Sequence, residues 1–346
     1  MKAIVLTGPE MYAMQEVDKP SCPANGLLLK VSYCGLCGSD LRTLRSGHKN
    51  VKYPAIIGHE VSGIIDAIGE KYEGPFQVGD LLAVAPNVYC GECRFCKAGR
   101  FEYCENLREL AQHWPGGFAE YMAIPHEALR NGTIQRLSKD AKLEYACIAE
   151  PPSSCINAQE KLQITLGDHV LIIGAGPIGC IHASIAKIRG AASVIMADVS
   201  DERLTLACGF GADICINSGK EDLVHTVMEL TEGKGVDVVI TANPVPITQA
   251  QAIQVAAKAG RIAFFGGLPH DKSENILNSN MIHYKGLHII GTTGFAPRHH
   301  IMALDLINSG RIPGEKLVTH ILPLEQFAQG VSLASHGEAM KVVYKI

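Results

Sequence analysis

Short apolar runs separated by polar turns dominate the first part of the chain. Lys2-Ala3-Ile4-Val5-Leu6 and Leu27-Leu28-Leu29-Lys30-Val31 flank a segment broken by Pro20, Pro23 and Gly26, a pattern that predicts strands and turns. The same rhythm continues from 58 to 86, where Gly63, Gly69 and Gly79-Asp80 punctuate Val61–Ile68 and Leu81–Val84. Met122-Ala123-Ile124 returns to strand, and a short acidic helix is predicted near 140–148. After residue 160 strands alternate with helical apolar spacing. The runs 170–173, 193–197, 214–216, 236–240, 261–267 and 287–291 make six candidate strands. Right-handed crossovers turn such an alternation into a doubly wound parallel sheet with ligand at the strands' carboxyl ends. Residues 295–346 resume mixed elements, with a helix through Ile301–Ile307 and a closing strand Lys341-Val342-Val343-Tyr344 that is expected to rejoin the first part. The fold class is therefore α/β, with a mainly-β domain over 1–157 and 295–346 and a nucleotide-binding domain over 158–294.

Composition narrows the function classes. Apolar residues make up 47% and charged residues 19%, a globular balance. The formal charge of -4, with scattered basic residues, gives no reason to expect nucleic acid or an anionic membrane as partner. No run approaches the roughly 18 apolar residues of a membrane span, and residues 1–15 have no signal-peptide pattern. A cytoplasmic location is expected, where thiols stay reduced, so the 12 cysteines are candidate metal ligands or small core residues.

Three constellations carry chemistry. Cys90, Cys93, Cys96 and Cys104 lie at spacings of 2, 2 and 7 residues on a polar loop, at about 88–106. Short loops that turn back on a metal predict a closed tetrahedral zinc site. Gly174-Ala175-Gly176-Pro177-Ile178-Gly179 follows an apolar strand, opens a helix, and has Asp198 about 20 residues on. Gly174 permits a tight turn, Gly176 lets backbone approach a pyrophosphate, and Gly179 lets helix and strand pack closely. Asp198 is placed to accept hydrogen bonds from a ribose and to repel a 2′-phosphate, favouring NAD over NADP; the alternative is a helix-start acid. Arg203 flanks the adenine or lies on the surface, and Asn243 follows a strand end on the nicotinamide side. The third constellation is Cys37, Gly58-His59-Glu60 and Ala149-Glu150-Pro151. Cys34-x-x-Cys37 alone is half a zinc knuckle, a redox pair or a single ligand. Glu150, in apolar surroundings, needs a partner or a metal unless it is a solvated loop residue, and the proline after it predicts extended backbone.

Taken together, Gly58-His59-Glu60-x-x-Gly63, the four-cysteine lobe, Gly116-Gly117-Phe118-Ala119-Glu120-Tyr121 and the 174–179 fingerprint resemble the zinc-dependent medium-chain dehydrogenases over nearly the whole chain. The resemblance implies a GroES-like catalytic domain, a Rossmann cofactor domain, NAD(H) and two zinc ions per chain, one catalytic and one structural. It implies Cys37, His59, Glu60 and Glu150 around the catalytic zinc, Glu60 and Glu150 as ligands or through water, and Ser39 passing the alcohol proton toward solvent. Asp40 is then the carboxylate that orients His59, with a turn hydroxyl and a helix cap as the plainer roles of Ser39 and Asp40. Glu60 and Glu150 resemble the branch acting on sorbitol, iditol and galactitol phosphate, and also threonine dehydrogenase.

Departures from that pattern qualify the substrate. Leu41-Arg42-Thr43 stands where many relatives end their proton relay in a histidine, leaving His48 as a candidate. Thr292-Thr293-Gly294-Phe295 replaces the Arg-Tyr pair of animal sorbitol dehydrogenases. Arg42 and Arg298 are candidates for a phosphate or carboxylate, and Phe118 for a place behind the site residues or against the substrate. The expected activity is reversible oxidation of a polyol or sugar alcohol to the ketose, with a sugar-alcohol phosphate and then threonine as alternatives. A catalytically silent binding protein on this fold is the non-enzyme alternative. The resemblance also implies a homodimer or homotetramer through the edge near 287–291.

Overall fold

The computed structural model describes residues 1–346, apart from the side chain of His270. The chain divides into two compact units, one of Met1–Glu150, Ala296–Gly310 and Gly314–Ile346, the other of Pro151–Phe295 and Arg311–Pro313.

The first unit is built on a sheet in the spatial order Val318–Pro323, Lys341–Lys345, Leu27–Gly35, Glu60–Ile68, Leu81–Val88 and Arg108–Glu109. Tyr121–Ile124 pairs with the third of these strands and Gly132–Arg136 with the fifth. Leu27, Leu29 and Val31 share one face of their strand and are buried with Val61, Ile65, Leu82 and Val84, while Leu28 is buried on the other face. Phe118, Phe327 and Tyr344 close this core, with centroids 5.0 Å apart for Phe118–Phe327 and 5.6 Å for Phe118–Tyr344. Phe118 is thus a fully buried core residue and does not line the cavity, which leaves it no direct substrate contact. Its ring fills the interior among the apolar side chains of Val61, Met122, Phe327 and Tyr344.

One register detail shapes the site. Gly35 stands opposite Glu60 on one side and Val343 on the other. A Cβ at Gly35 would collide with Glu60 Oε2, so the glycine opens the space that the Glu60 carboxylate fills.

The second unit is a six-stranded parallel sheet in the order Ile214–Asn217, Ser193–Asp198, His169–Ile173, Val236–Thr241, Ala256–Phe264, His288–Gly291. This is the doubly wound Rossmann order, with the switch point beside the first strand. Val170, Leu171, Ile172 and Ile173 are all buried, as a central parallel strand covered on both faces requires. His288–Gly291 forms the edge.

Two helices were not legible as such. Gly38–Ser46 and Glu150–Leu162 both begin at predicted site residues. Glu150 is helical, with φ -61° and ψ -54°, rather than extended. Prolines at 151 and 152 fall in the first helical turn, where no intrahelical N–H is needed, and burial of both outweighs the usual bias before proline. Among the described residues, no helix is long and apolar enough to cross a membrane.

Candidate active site

Cys37 caps the helix Gly38–Ser46, and Asp40 at its third position organises what surrounds it. Asp40 Oδ2 accepts from the Cys37 N–H at 3.0 Å, and Oδ1 accepts from His59 Nδ1 at 3.1 Å. That second bond fixes the imidazole tautomer, leaving Nε2 as a lone-pair donor. Ser39 Oγ lies 3.3 Å from this Nε2. Burial opposes charging of the His59 ring, but the Asp40 charge and hydrogen bond, with Cys37 beside it, raise its pKa well above the ordinary value.

Glu60 is fully buried where its strand begins, and Oε1 accepts from Lys341 Nζ at 2.5 Å. Among the described residues, Oε2 has no hydrogen-bond partner. Glu150 is pushed up to about 7, first by burial and then by the neighbouring Glu60 charge, while His59 and Lys341 pull the other way. The ligand atoms of Cys37, His59, Glu60 and Glu150 all lie within 4.8 Å of one another. A thiol, an imidazole nitrogen and two carboxylates, one with an orphaned buried oxygen, fit a divalent zinc ion.

The four-cysteine loop fits a second ion. Its sulfurs also converge within 4.8 Å. Backbone N–H groups point at them: Cys90 N to Cys104 Sγ at 3.3 Å, Cys93 N to Cys90 Sγ at 3.4 Å and Cys96 N to Cys93 Sγ at 3.5 Å. Such bonds from Cys96 and Glu105 lower Cys93 to about 6, whereas burial raises Cys96 to about 12. Four crowded thiols do not ionise together unaided, and a cation among them supplies the missing compensation.

A cavity of about 190 Å³ opens over the mixed cluster. Cys37, Ser39, His59 and Glu150 line it, with Asp40, Arg42 and His48 from the predicted candidates. Thr43, Glu109 and Gln112 also face it without having been anticipated. Arg298 is absent from its walls, since Pro297–Asn308 begins an outer helix that leaves this side chain exposed. Lys341 was also missed as a site residue. The only signal in the sequence was a charge opening an otherwise apolar strand.

In the second unit Gly174 adopts φ +116°, and a Cβ at Gly179 would collide with the Gly174 carbonyl. Nothing lies within 4 Å of a Cβ position at Gly176, which starts the helix Pro177–Arg189. This empty approach to free helix N–H groups fits a pyrophosphate. Pro177 and Ile178 form the first turn. Asp198 Oδ2 accepts from the Ala175 N–H at 2.7 Å and Oδ1 from the Ser200 N–H at 3.1 Å, tying the strand end to the loop. Each oxygen keeps a further lone pair for a ribose hydroxyl. Arg203 lies half-buried on the next helix, Asp201–Ala207. Asn243 is occupied internally: Nδ2 donates to the Ile173 carbonyl at 3.1 Å, and Oδ1 accepts from Thr248 Oγ1 at 2.9 Å.

Fold and sites together define an oxidoreductase with a metal-bearing catalytic unit and a dinucleotide-binding unit. Residues 23–131 match the alcohol dehydrogenase GroES-like domain and residues 177–309 the zinc-binding dehydrogenase domain. The L-threonine 3-dehydrogenase of Pyrococcus furiosus is 32% identical, covering 100% of this chain and 99% of that protein. A structure from Sinorhizobium meliloti 1021, assigned to the zinc-binding dehydrogenases and bound to NADP, superposes with TM-score 0.91 at 27% identity, covering 100% and 99%. The galactitol-1-phosphate dehydrogenase of Escherichia coli gives TM-score 0.90 at 29% identity, with both chains covered completely. The chain belongs to the zinc-dependent medium-chain dehydrogenases. It is an enzyme of the alcohol dehydrogenase type that uses zinc and a nicotinamide dinucleotide.

Proposed function

We propose that the chain oxidises a secondary alcohol of a polyol or sugar alcohol to the ketone, reducing NAD and releasing one proton. The carrying observation is the polar wall of the cavity over Cys37, His59, Glu60 and Glu150. Thr43, His48, Glu109 and Gln112 offer hydroxyl, imidazole, carboxylate and amide groups, which suit a substrate with several hydroxyls. His48 Nδ1 and Gln112 Oε1 already accept from Asn50, so a simple apolar alcohol would leave chiefly the Glu109 carboxylate without a partner.

When bound, zinc polarises an alcohol oxygen so that it deprotonates near neutral pH, and the nicotinamide accepts hydride. The chain's own groups do the rest. Cys37, His59, Glu60 and Glu150 hold the zinc, Asp40 keeps the His59 tautomer, and Lys341 balances Glu60. The Ser39 hydroxyl, against His59 and on the cavity wall, takes the alcohol proton outward, with His48 on the same wall as the next acceptor. Asp198 sets the preference for NAD through its charge beside the ribose position. Cys90, Cys93, Cys96 and Cys104 hold a structural zinc.

A second reading is a 2-amino-3-hydroxy acid such as L-threonine, favoured by the relative at 32% identity. Arg42 on the cavity wall supplies a carboxylate or phosphate partner under that reading and under the sugar-alcohol phosphate reading. The exposed edge strand His288–Gly291 supports assembly into a homodimer or tetramer, because pairing covers its open ladder.

The test is NADH formation with xylitol, sorbitol, galactitol 1-phosphate and L-threonine, alongside zinc analysis. About two zinc per chain and highest kcat/KM on a neutral polyol support the reading. Turnover of L-threonine alone, or about one zinc per chain, overturns it.

A further inference from the structure

The two-residue strand Arg108–Glu109 separates two cavities. Successive strand residues face opposite ways. Arg108 stacks over the Trp114 ring at 3.9 Å, beside a neighbouring cavity of about 440 Å³. Glu109 faces the cavity over Cys37, His59 and Glu150, near enough that its charge helps raise the Glu150 pKa. Its backbone is held on both sides. Glu109 pairs with Asn87 across the sheet, its N–H donates to His113 Nδ1 at 3.0 Å, and its carbonyl accepts from the His113 N–H at 2.9 Å.

Among the described residues, the Glu109 carboxylate has neither a hydrogen-bond nor an ion-pair partner, although its own backbone is fully engaged. A half-buried carboxylate held by its backbone on the cavity wall, beside another carboxylate, can exchange its water for hydrogen-bond donors of what enters. Arg42, on the same wall, is exposed to solvent. We infer that Glu109 is a specificity-determining residue that accepts a hydrogen bond from a donor group next to the reacting carbinol, a second hydroxyl of the substrate. This rests on the polyol reading above and sharpens it. The carboxylate selects vicinal diols over simple alcohols, since an ionised acceptor bonds a hydroxyl about twice as strongly as a neutral one. It also disfavours a substrate with a phosphate on that side, through like charge.

The experiment compares 2,3-butanediol with 2-butanol, and with 3-amino-2-butanol as the cationic donor, on the zinc-loaded full-length enzyme and its Glu109→Ala, Glu109→Gln and Glu109→Asp variants. The wild type is expected to prefer the diol. Glu109→Ala should lower kcat/KM for the diol on the order of 10- to 100-fold, the range for a bond to a charged acceptor. That loss should sit mainly in KM, with 2-butanol changed less than about threefold. Glu109→Gln should restore part of the diol activity and none of any amine activity, because the amide keeps an acceptor and loses the charge. Glu109→Asp should also recover part of it. Equal losses on diol and mono-alcohol would mean a structural role and overturn the inference. A diol preference that survives Glu109→Ala overturns it while leaving the polyol reading intact. A wild type that prefers the amine to the diol overturns the assignment to hydroxyl, and one with no diol preference at all overturns the polyol reading itself.

Discussion

Lys341 Nζ lies 2.5 Å from Glu60 Oε1, and both side chains are buried although 281 residues separate them. Burial disfavours the ammonium, yet the charges of Glu60 and Cys37 outweigh it and raise the Lys341 pKa. Removing one partner of such a pair leaves the other charge uncompensated. Lys341→Met should therefore destabilise the protein by about 3–5 kcal/mol in chemical denaturation with the Cys37, His59, Glu60 and Glu150 cluster kept free of zinc in every variant. Glu60→Gln added to Lys341→Met should recover most of that loss, because no lone charge then remains. Full additivity of the two losses would show that the residues act independently.

Asp198 holds the Ala175 N–H and is the proposed acceptor for the cofactor's ribose. Asp198→Asn keeps an oxygen acceptor for that N–H, gives up the acceptor of the Ser200 N–H and removes the charge. The variant should fold like the parent and raise the ratio of NADP to NAD kcat/KM on the order of tenfold or more, a change of about 1.4 kcal/mol per tenfold. An unchanged ratio would place cofactor choice elsewhere.

His182 gives an acid limb to stability. Gln159 Nε2 donates to its Nδ1 at 3.1 Å, the ring packs edge-on against Phe265 at 4.6 Å, and burial lowers its pKa to about 3. Between the unfolded value near 6.5 and the folded value, the unfolded chain binds a proton that the folded one refuses. Stability should fall as pH drops through that window, by on the order of 1.4 kcal/mol per pH unit for this group, and level off below it. His182→Leu should flatten the slope. His300, also lowered to about 3 by burial, should retain its own share. Denaturant unfolding at pH 4 to 7 for both proteins measures the difference.

The second unit was legible because its signals are local. The central strand His169–Ile173 is an unbroken apolar run, the glycines follow at once, and Asp198 ends the next strand, so each inference used neighbours in sequence. The six candidate strands all appear, in one parallel sheet. The first unit was only partly legible. Cys37, His59, Glu60 and Glu150 could be singled out by residue type, and the fold brings their ligand atoms together. Lys341 could not, since its position opposite Glu60 is set by strand pairing through Gly35 across most of the chain. Glu109 was equally hidden. Its direction depends on a strand of only two residues, too short for any periodicity to register. Phe118 misled for the opposite reason, because a conspicuous motif drew it toward the substrate while packing drew it into the core.

That short strand has an evolutionary consequence. Neighbours of opposite charge, Arg108 and Glu109, face two different cavities, so the frame of the turn before them decides which charge each cavity receives. Gain of one residue between Cys104 and Arg108 would bring the guanidinium to the position that Glu109 now holds without altering a single side chain. A single inserted codon would thus set a second guanidinium beside Arg42 on a wall that now carries the Glu109 carboxylate.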